Sequence, residues 1–313
     1  MYSPTSSNPA PSTLSLAIRF ILRQLEHHKS SPNQNRALVI GIQGPQGSGK
    51  SHLATQLLTS PELRHLSLAN LSLDDLYFPH SKLVQVAQEN PGNPLLKGRG
   101  QAGTHDLRLG MKVLQELRES KKGGEVRVPV FEKSLNSGEG DRVAQNEWVS
   151  VKEGRVDVVI FEGWMLGFRS IEKERLEELY RLKKGEATKE LGLDYDEPFY
   201  LEQSLDSLQS VNGRLGEYEE GLWSLVDGFL ELRPERMGYV WEWRLEQEHN
   251  MKRSNGGIGM TDDQVKTFIS RYMPGYELFL DGIEATGKGN SWEGKGLRIE
   301  IGKERQVLAT KEF

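Results

Sequence analysis

The chain of 313 residues contains no cysteine. That excludes a disulfide framework, thiolate metal sites and a cysteine nucleophile. It has no run of about 18 apolar residues, so neither a membrane-spanning helix nor a membrane partner is expected. A basic excess is also missing: 40 Lys and Arg stand against 45 Asp and Glu, a net charge of −5. Nucleic acid, which needs a broad positive face, is therefore not an expected partner. No internal repeat occurs, and no His/Asp spacing suggests zinc. Residues 1–13, "MYSPTSSNPAPST", are rich in Ser and Pro and lack the basic segment and apolar core of a signal peptide. They read as a disordered tail. The cytoplasm is the expected compartment, with the nucleus left open.

What is present is an alternation of strand and helix signals. Leu14, Ile18, Ile21, Leu22 and Leu25 fall at helical spacing, with Thr13 as the expected cap. "ALVIGIQ" (37–43) is a short apolar run of the kind that forms a buried parallel strand, and "SHLATQLL" after it reads as a helix. A second strand is expected in "LSLANLSLDDLYF", ending at its Asp pair. Further strands are expected in "EVRVPVF", "GRVDVVIFEGW" and "DGFLEL", and further helices in "THDLRLGMKVLQELRES", "YVWEWRLEQEHNMKR" and "TDDQVKTFISRYMPGYELFL". Thr261 caps the last of these and Met273-Pro274 interrupts it. "LRIEIGKERQVL" reads as a closing hairpin. This alternation predicts an α/β fold with helices on both faces of a mostly parallel sheet, as one domain over residues 14–313. Residues 90–103 and 171–202 look like insertions. The second is highly charged and is expected to be a solvated surface helix without a catalytic role.

One segment carries chemistry openly. Gly44-x4-Gly49-Lys50-Ser51 matches the Walker A pattern, with a strand before it and a helix after it. Glycines let successive amides converge on one anion without a Cβ in the way. Gly44, Gln46, Gly47, Ser48 and Gly49 are thus expected to form a phosphate cradle, and the helix N-terminus adds its partial positive charge. Lys50 is expected to reach the β- and γ-phosphates, and Ser51 to place its hydroxyl on Mg²⁺.

The carboxylates narrow the use of a bound nucleotide. Asp74 and Asp75 close one predicted strand and Glu162 closes another, and in open α/β sheets ligands bind beyond the carboxyl ends of strands. Phosphoryl transfer to a hydroxyl needs a metal held by hard oxygens and a carboxylate that takes the hydroxyl proton. Asp74 suits the base, and Ser51, Asp74 and Glu162 are the candidate metal ligands. No guanine-reading Asn-Lys-x-Asp occurs.

At these residues the chain resembles the kinase superfamily of phosphoribulokinase, uridine kinase and bacterial pantothenate kinase, and within it the plant and fungal D-glycerate 3-kinase family. The segments that carry the resemblance are "GPQGSGKS", "SLDDLYF", "KGRGQAGTHDLRLG", "PVFEKSLNSGEGDR", "VIFEGWMLGF", "YVWEWRLEQEHNMK" and "MTDDQVKTFISRYMPGYELFL". It departs from the family pattern at Leu76 and at Phe131-Glu132. The resemblance implies a three-layer P-loop NTPase domain with a helical lid over residues 239–255. It also implies ATP and Mg²⁺ as cofactors, and D-glycerate as the small-molecule substrate phosphorylated to 3-phosphoglycerate. Lys50, Ser51, Asp74 and Glu162 fall on its phosphate, metal and base positions. Arg244 falls on the lid arginine near the nucleotide, and Arg271 is a second candidate.

A hydroxy acid presents a carboxylate, which calls for a cation in its pocket. Arg99, Lys133 and Arg142 lie in glycine-rich segments, and His105 and Asp106 open a helix. With Asp75, Tyr77 and Arg271 they form the candidate acceptor set. Two other readings stay open on the residues alone: a P-loop kinase of another acceptor, such as a nucleoside or pantothenate, and a non-catalytic ATP-binding protein. The choice between monomer and homodimer is open too.

Overall fold

The six residues of β1 (Leu38–Gln43) are all buried. Leu38, Ile40 and Ile42 enter one apolar cluster and Val39 another, so the strand carries a covered sheet on both faces. The computed structural model describes residues 11–119, 125–151, 156–254, 256–257, 259–287 and 289–313. The expected tail therefore lies, for residues 1–10, outside the described residues. Its end is shorter than expected: Ser12, not Thr13, caps α1 (Thr13–Lys29), its side chain accepting from the Ser15 N–H.

After β1 the chain runs through α2 (Lys50–Thr59), β2 (Leu68–Ser72), α3 (His80–Glu89) and α4 (Leu107–Glu119). Four short strands follow: β3 (Val126–Val128), β4 (Phe131–Glu132), β5 (Asp141–Arg142) and β6 (Val149–Val151). β7 (Val158–Gly163) returns to the main sheet, and α5 (Lys173–Arg181), α6 (Lys184–Glu190) and α7 (Leu205–Glu220) lead to β8 (Gly228–Pro234). The helices α8 (Tyr239–Ser254), α9 (Asp262–Ser270) and α10 (Met273–Phe279) precede the hairpin β9 (Gly296–Ile301) and β10 (Val307–Glu312). The main sheet has the order β10-β9-β8-β1-β7-β2, parallel except for β10. α1 and α2 contribute to the apolar cluster on one face, and α4, α7 and α10 to the larger cluster on the other. This is the three-layer α/β arrangement expected from the sequence.

Several elements are absent from the sequence reading. Both carried a helical signal that went unread: Leu208, Val211, Leu215 and Tyr218 of α7 recur at helical spacing along its buried face, and α3 buries Leu83 and Val86. β3 pairs with β6 and β4 with β5 in two separate antiparallel ribbons, where only the first half was expected. The break before Pro274 is a full stop: α9 ends at Ser270, and Pro274 occupies the first turn of α10.

The segment 171–202 needs a correction. It is not one solvated helix but two, which bury Leu176, Leu179 and Ala187, and a following turn that buries Tyr200. The charge-rich composition hid a narrow apolar stripe. The segment is fastened by the buried Glu277 carboxylate, which accepts from the Tyr195 hydroxyl (2.6 Å) and from the backbone N–H groups of Phe199 (2.9 Å) and Tyr200 (2.8 Å). Burial pushes the Glu277 carboxyl up to about 7 against the pull of those donors.

Glu277→Gln is expected to destabilise the protein by about 1–3 kcal/mol, because the amide turns an N–H toward one of the two backbone donors. A carboxyl whose native pKa is raised binds its proton more tightly when folded, so its contribution to stability falls as pH rises from about 4.5 to about 7. The gap between wild type and variant in urea unfolding should therefore be widest below pH 4.5 and should narrow toward neutrality.

Candidate functional site

The site is built from three strand ends held in register. Ile42 of β1 lies opposite Glu162 of β7, and Ser72 of β2 lies opposite the same Glu162. Whatever follows Gln43 and Ser72 is thus delivered beside Glu162. After Gln43 comes the glycine-rich loop. After Ser72 comes a single helical turn, Leu73–Leu76, whose first donor, the Asp74 N–H, is satisfied by the Ser72 hydroxyl (3.3 Å). The Asp pair therefore rides on a capped turn just past the strand, not on the strand's last residues.

The loop is held from several sides. Gly47 (φ +79°) and Gly49 (φ +92°) lie in the left-handed region. A Cβ on Gly47 would sit 2.4 Å from the Trp243 Cβ, so this position needs both glycine's freedom and its lack of bulk. The Gln46 N–H donates to the Tyr276 hydroxyl (3.2 Å), which donates back to Gln46 Oε1 (3.0 Å). Gly49 caps α2 without a side-chain hydrogen bond, which leaves the first amides of the helix facing outward for an anion. The Ser51 hydroxyl donates to Glu162 Oε1 (3.2 Å), and Lys50 Nζ lies 4.0 Å from Glu162 Oε2. That second oxygen is buried and has no hydrogen-bond partner among the described residues.

These groups open on a cleft of about 880 Å³. Its walls include Gln46, Gly47, Gly49, Lys50 and Ser51 from the loop, Asp74, Tyr77, Arg99 and Lys133 on the acceptor side, and Arg244 from α8. Trp243, Arg244, Glu246, Gln247 and Asn250 all face it, a single stripe of the α8 helix. α8 covers the expected lid except residue 255, which lies outside the described residues.

Asp74 and Lys133 form an ion pair of 2.5 Å. Burial alone would raise the Asp74 carboxyl, yet Lys133 and Lys50 together hold it well below the usual carboxylate range. Its neighbour Asp75 behaves in the opposite way. It accepts from the Phe131 N–H (3.0 Å), and burial, with Asp74 adding to it, pushes its carboxyl up to about 6. Asp75 thus braces the turn against β4 and is not part of the cleft wall.

The remaining candidates divide. His105 stacks on Tyr77 (4.3 Å between centroids), and its Nδ1 lies 2.8 Å from the Tyr218 hydroxyl. Burial lowers its pKa to about 3, so the ring is neutral. Asp106 caps α4 through the Leu109 N–H (3.1 Å) and pairs with Arg142 (3.1 Å), which also donates to the Tyr77 carbonyl (2.7 Å). His105, Asp106 and Arg142 stand behind Tyr77, outside the cleft wall. Arg99 donates to the carbonyls of Gly138 and Glu139 and lies over the Phe131 ring. Arg244 pairs with the buried Glu248 (2.8 Å) and lies over the Phe268 ring at 5.3 Å. Arg271 faces a second cavity of about 520 Å³, which shares Arg99 and Phe268 with the first, and it donates to the Lys97 carbonyl (3.1 Å). Gly44 and Ser48 lie under the loop, where a Cβ on Gly44 would meet Ser48 Oγ at 2.5 Å.

Several cleft residues escaped the sequence reading. Trp164 stands two residues after Glu162 and Tyr272 directly follows Arg271, so both lay inside the quoted motifs and had a signal. Arg305 had none. It lies in the β9–β10 turn, and its guanidinium Nε donates to the Gly47 carbonyl (2.7 Å).

No family model matches the chain. It is 35% identical over 269 residues to an uncharacterized kinase, mug58, of Schizosaccharomyces pombe, spanning 86% of this chain and 90% of that one. It is 34% identical over 273 residues to the chloroplastic D-glycerate 3-kinase of Arabidopsis thaliana, spanning 87% of this chain and about half (54%) of the plant protein. The solved structure of a D-glycerate 3-kinase from Cryptococcus neoformans superposes with a TM-score of 0.83 at 43% identity, covering 97% of this chain and all of that one. With the glycine-rich loop, Asp74, Glu162 and α8 arranged around one cleft, the chain belongs to the D-glycerate 3-kinase family of P-loop kinases.

Proposed function

We propose that this chain is an ATP-dependent kinase that phosphorylates the 3-hydroxyl of D-glycerate with the help of Mg²⁺. The observation that carries the reading is the convergence of Lys50, Ser51 and Asp74 on one cleft, with the Glu162 carboxylate directly behind Ser51. The full-length similarity to a protein named D-glycerate 3-kinase supports the choice of acceptor.

In this reading the amides at the start of α2 and the Lys50 ammonium hold the β- and γ-phosphates. The donor set fits a hard cation: an unpartnered, buried Glu162 oxygen lies beside the Ser51 hydroxyl. Ser51 and Glu162 would hold the magnesium, which supplies charge neutralisation on the phosphates. Asp74 is already paired with Lys133 and is assigned the base role rather than a ligand's. It takes the acceptor's hydroxyl proton as that oxygen bonds to the γ-phosphorus. The bond from the phosphorus to the β–γ bridging oxygen breaks, and ADP leaves with the electron pair. Beside the Asp74–Lys133 pair, Arg99, bonded among the described residues only to carbonyls, leaves the acceptor end with a positive charge that suits a carboxylate. Arg244, held by Glu248, faces the charge that develops on the transferred group. Asp75, Tyr77, His105, Asp106 and Arg142 fix the turn and wall around Asp74, and Arg271 serves the neighbouring cavity.

ADP release should depend on added D-glycerate and be slight without it; a response to a nucleoside or to pantothenate instead would replace the acceptor. Asp74→Asn should lower kcat by about 10²–10⁴-fold, the size expected for loss of a general base, and should also lower the unfolding midpoint at neutral pH because it removes the ion pair with Lys133; a variant still folded at the assay temperature separates the two effects. Gly47→Ala should weaken Mg-ATP binding and lower stability by at least about 1 kcal/mol, through a left-handed backbone and a Cβ pressed on Trp243. Calorimetric titration and thermal melts read both effects.

A further inference from the structure

The peptide between Gly47 and Ser48 is gripped at both ends. Its N–H donates to the Pro45 carbonyl (3.1 Å), and its C=O accepts from Arg305 Nε (2.7 Å). A trans peptide sets these two groups on opposite sides of one plane, so the pair of bonds leaves that plane a single orientation. Gly47 at φ +79° is the residue best able to let it rotate, because glycine populates both signs of φ with similar ease. The following peptides carry the amides of Gly49, Lys50 and Ser51. The fixed plane sets where this run of amides begins, just before α2.

Arg305 also reaches the lid. Its Nη2 pairs with Glu246 (2.6 Å), and its guanidinium lies over the Trp243 ring at 5.3 Å. Trp243 in turn donates from its indole N–H to the Lys303 carbonyl (2.7 Å) in the same hairpin turn as Arg305. Arg305 itself sits at φ +61°, a conformation that costs a non-glycine residue energy and persists only where surrounding contacts enforce it. One side chain therefore joins three segments remote in sequence: the glycine-rich loop, the α8 lid and the β9–β10 turn.

We infer that Arg305 is a positioning residue for the triphosphate, which keeps the loop in its anion-accepting form before the ligand arrives and couples the lid helix to it. This rests on the kinase reading above and adds to it a residue outside its motifs. A loop that is not held must be ordered at the moment of binding, and that cost appears as lost affinity for the phosphate chain itself. The nucleoside portion is not involved.

The test is titration calorimetry of Mg-ATP and of magnesium tripolyphosphate against wild type, Arg305→Met and Arg305→Lys, with thermal melts alongside. Methionine keeps an apolar stem over Trp243 and removes the donor. Lysine keeps one donor without the rigid fork. Arg305→Met should weaken ATP and tripolyphosphate by the same factor, about tenfold or more, the scale of a lost charge-assisted hydrogen bond. Arg305→Lys should fall between Arg305→Met and wild type. Equal affinities in wild type and Arg305→Met, with only a lower melting temperature, would make Arg305 a structural tether and overturn the inference. So would a loss confined to ATP, which would mark a contact with the base or sugar. If Arg305→Met does not fold, Arg305→Lys decides: several-fold weaker binding of both ligands supports the inference, and wild-type binding overturns it. Failure of the wild type to bind either ligand would instead remove the kinase reading.

Discussion

The contact between Glu162 and the start of α2 is the one on which the rest of the structure depends. A buried carboxylate meets the Ser51 hydroxyl and stands 4.0 Å from the Lys50 ammonium, and one of its oxygens has no hydrogen bond among the described residues. An arrangement of this kind is costly in an isolated protein, since buried charge needs compensation. The parallel register enforces it. Glu162 cannot leave without disturbing β7, which is paired on both sides, to β1 and to β2. That cost falls on a strand whose residues are all buried and which is paired on both sides.

The turn after β2 explains why two adjacent aspartates behave differently. Asp74 faces the cleft and its lysines, while Asp75 faces the β4 backbone. One is held ionised by nearby cations; the other is pushed toward neutrality by burial and by its neighbour's charge. A short capped turn does this by pointing successive side chains in different directions. A strand ending at the pair, as read from the sequence, would also have separated them, but would not have supplied the Ser72 cap.

How much was legible follows the range of the interactions. The β1–loop–α2 unit, β7, β8, the Thr261 cap and the closing hairpin all rest on local patterns, and the structure has them where the residues put them. Lys50, Ser51, Asp74, Tyr77, Arg99, Lys133 and Arg244 do meet in one cleft. What the residues did not reveal is which cations were already engaged. Arg142 is occupied by Asp106 and a backbone carbonyl, and Arg271 by the Lys97 carbonyl beside another cavity. Sequence shows that a charge exists and not what neutralises it. The apolar stripe in 171–202 was masked by charge for a similar reason. Its anchor, Glu277, lies far along the chain, next to the Tyr276 that holds Gln46.

The bond from Arg305 to Gly47 spans 258 positions of the chain. The loop is written early and its clamp late. During synthesis the β1–loop–α2 unit emerges long before the β9–β10 turn exists, and contacts of such separation form slowly because a large loop must first close. A nascent chain can thus lay down most of its sheet while its glycine-rich loop still lacks the bond from Arg305. The Gly47 carbonyl thus acquires its partner only after the β9–β10 turn has been made.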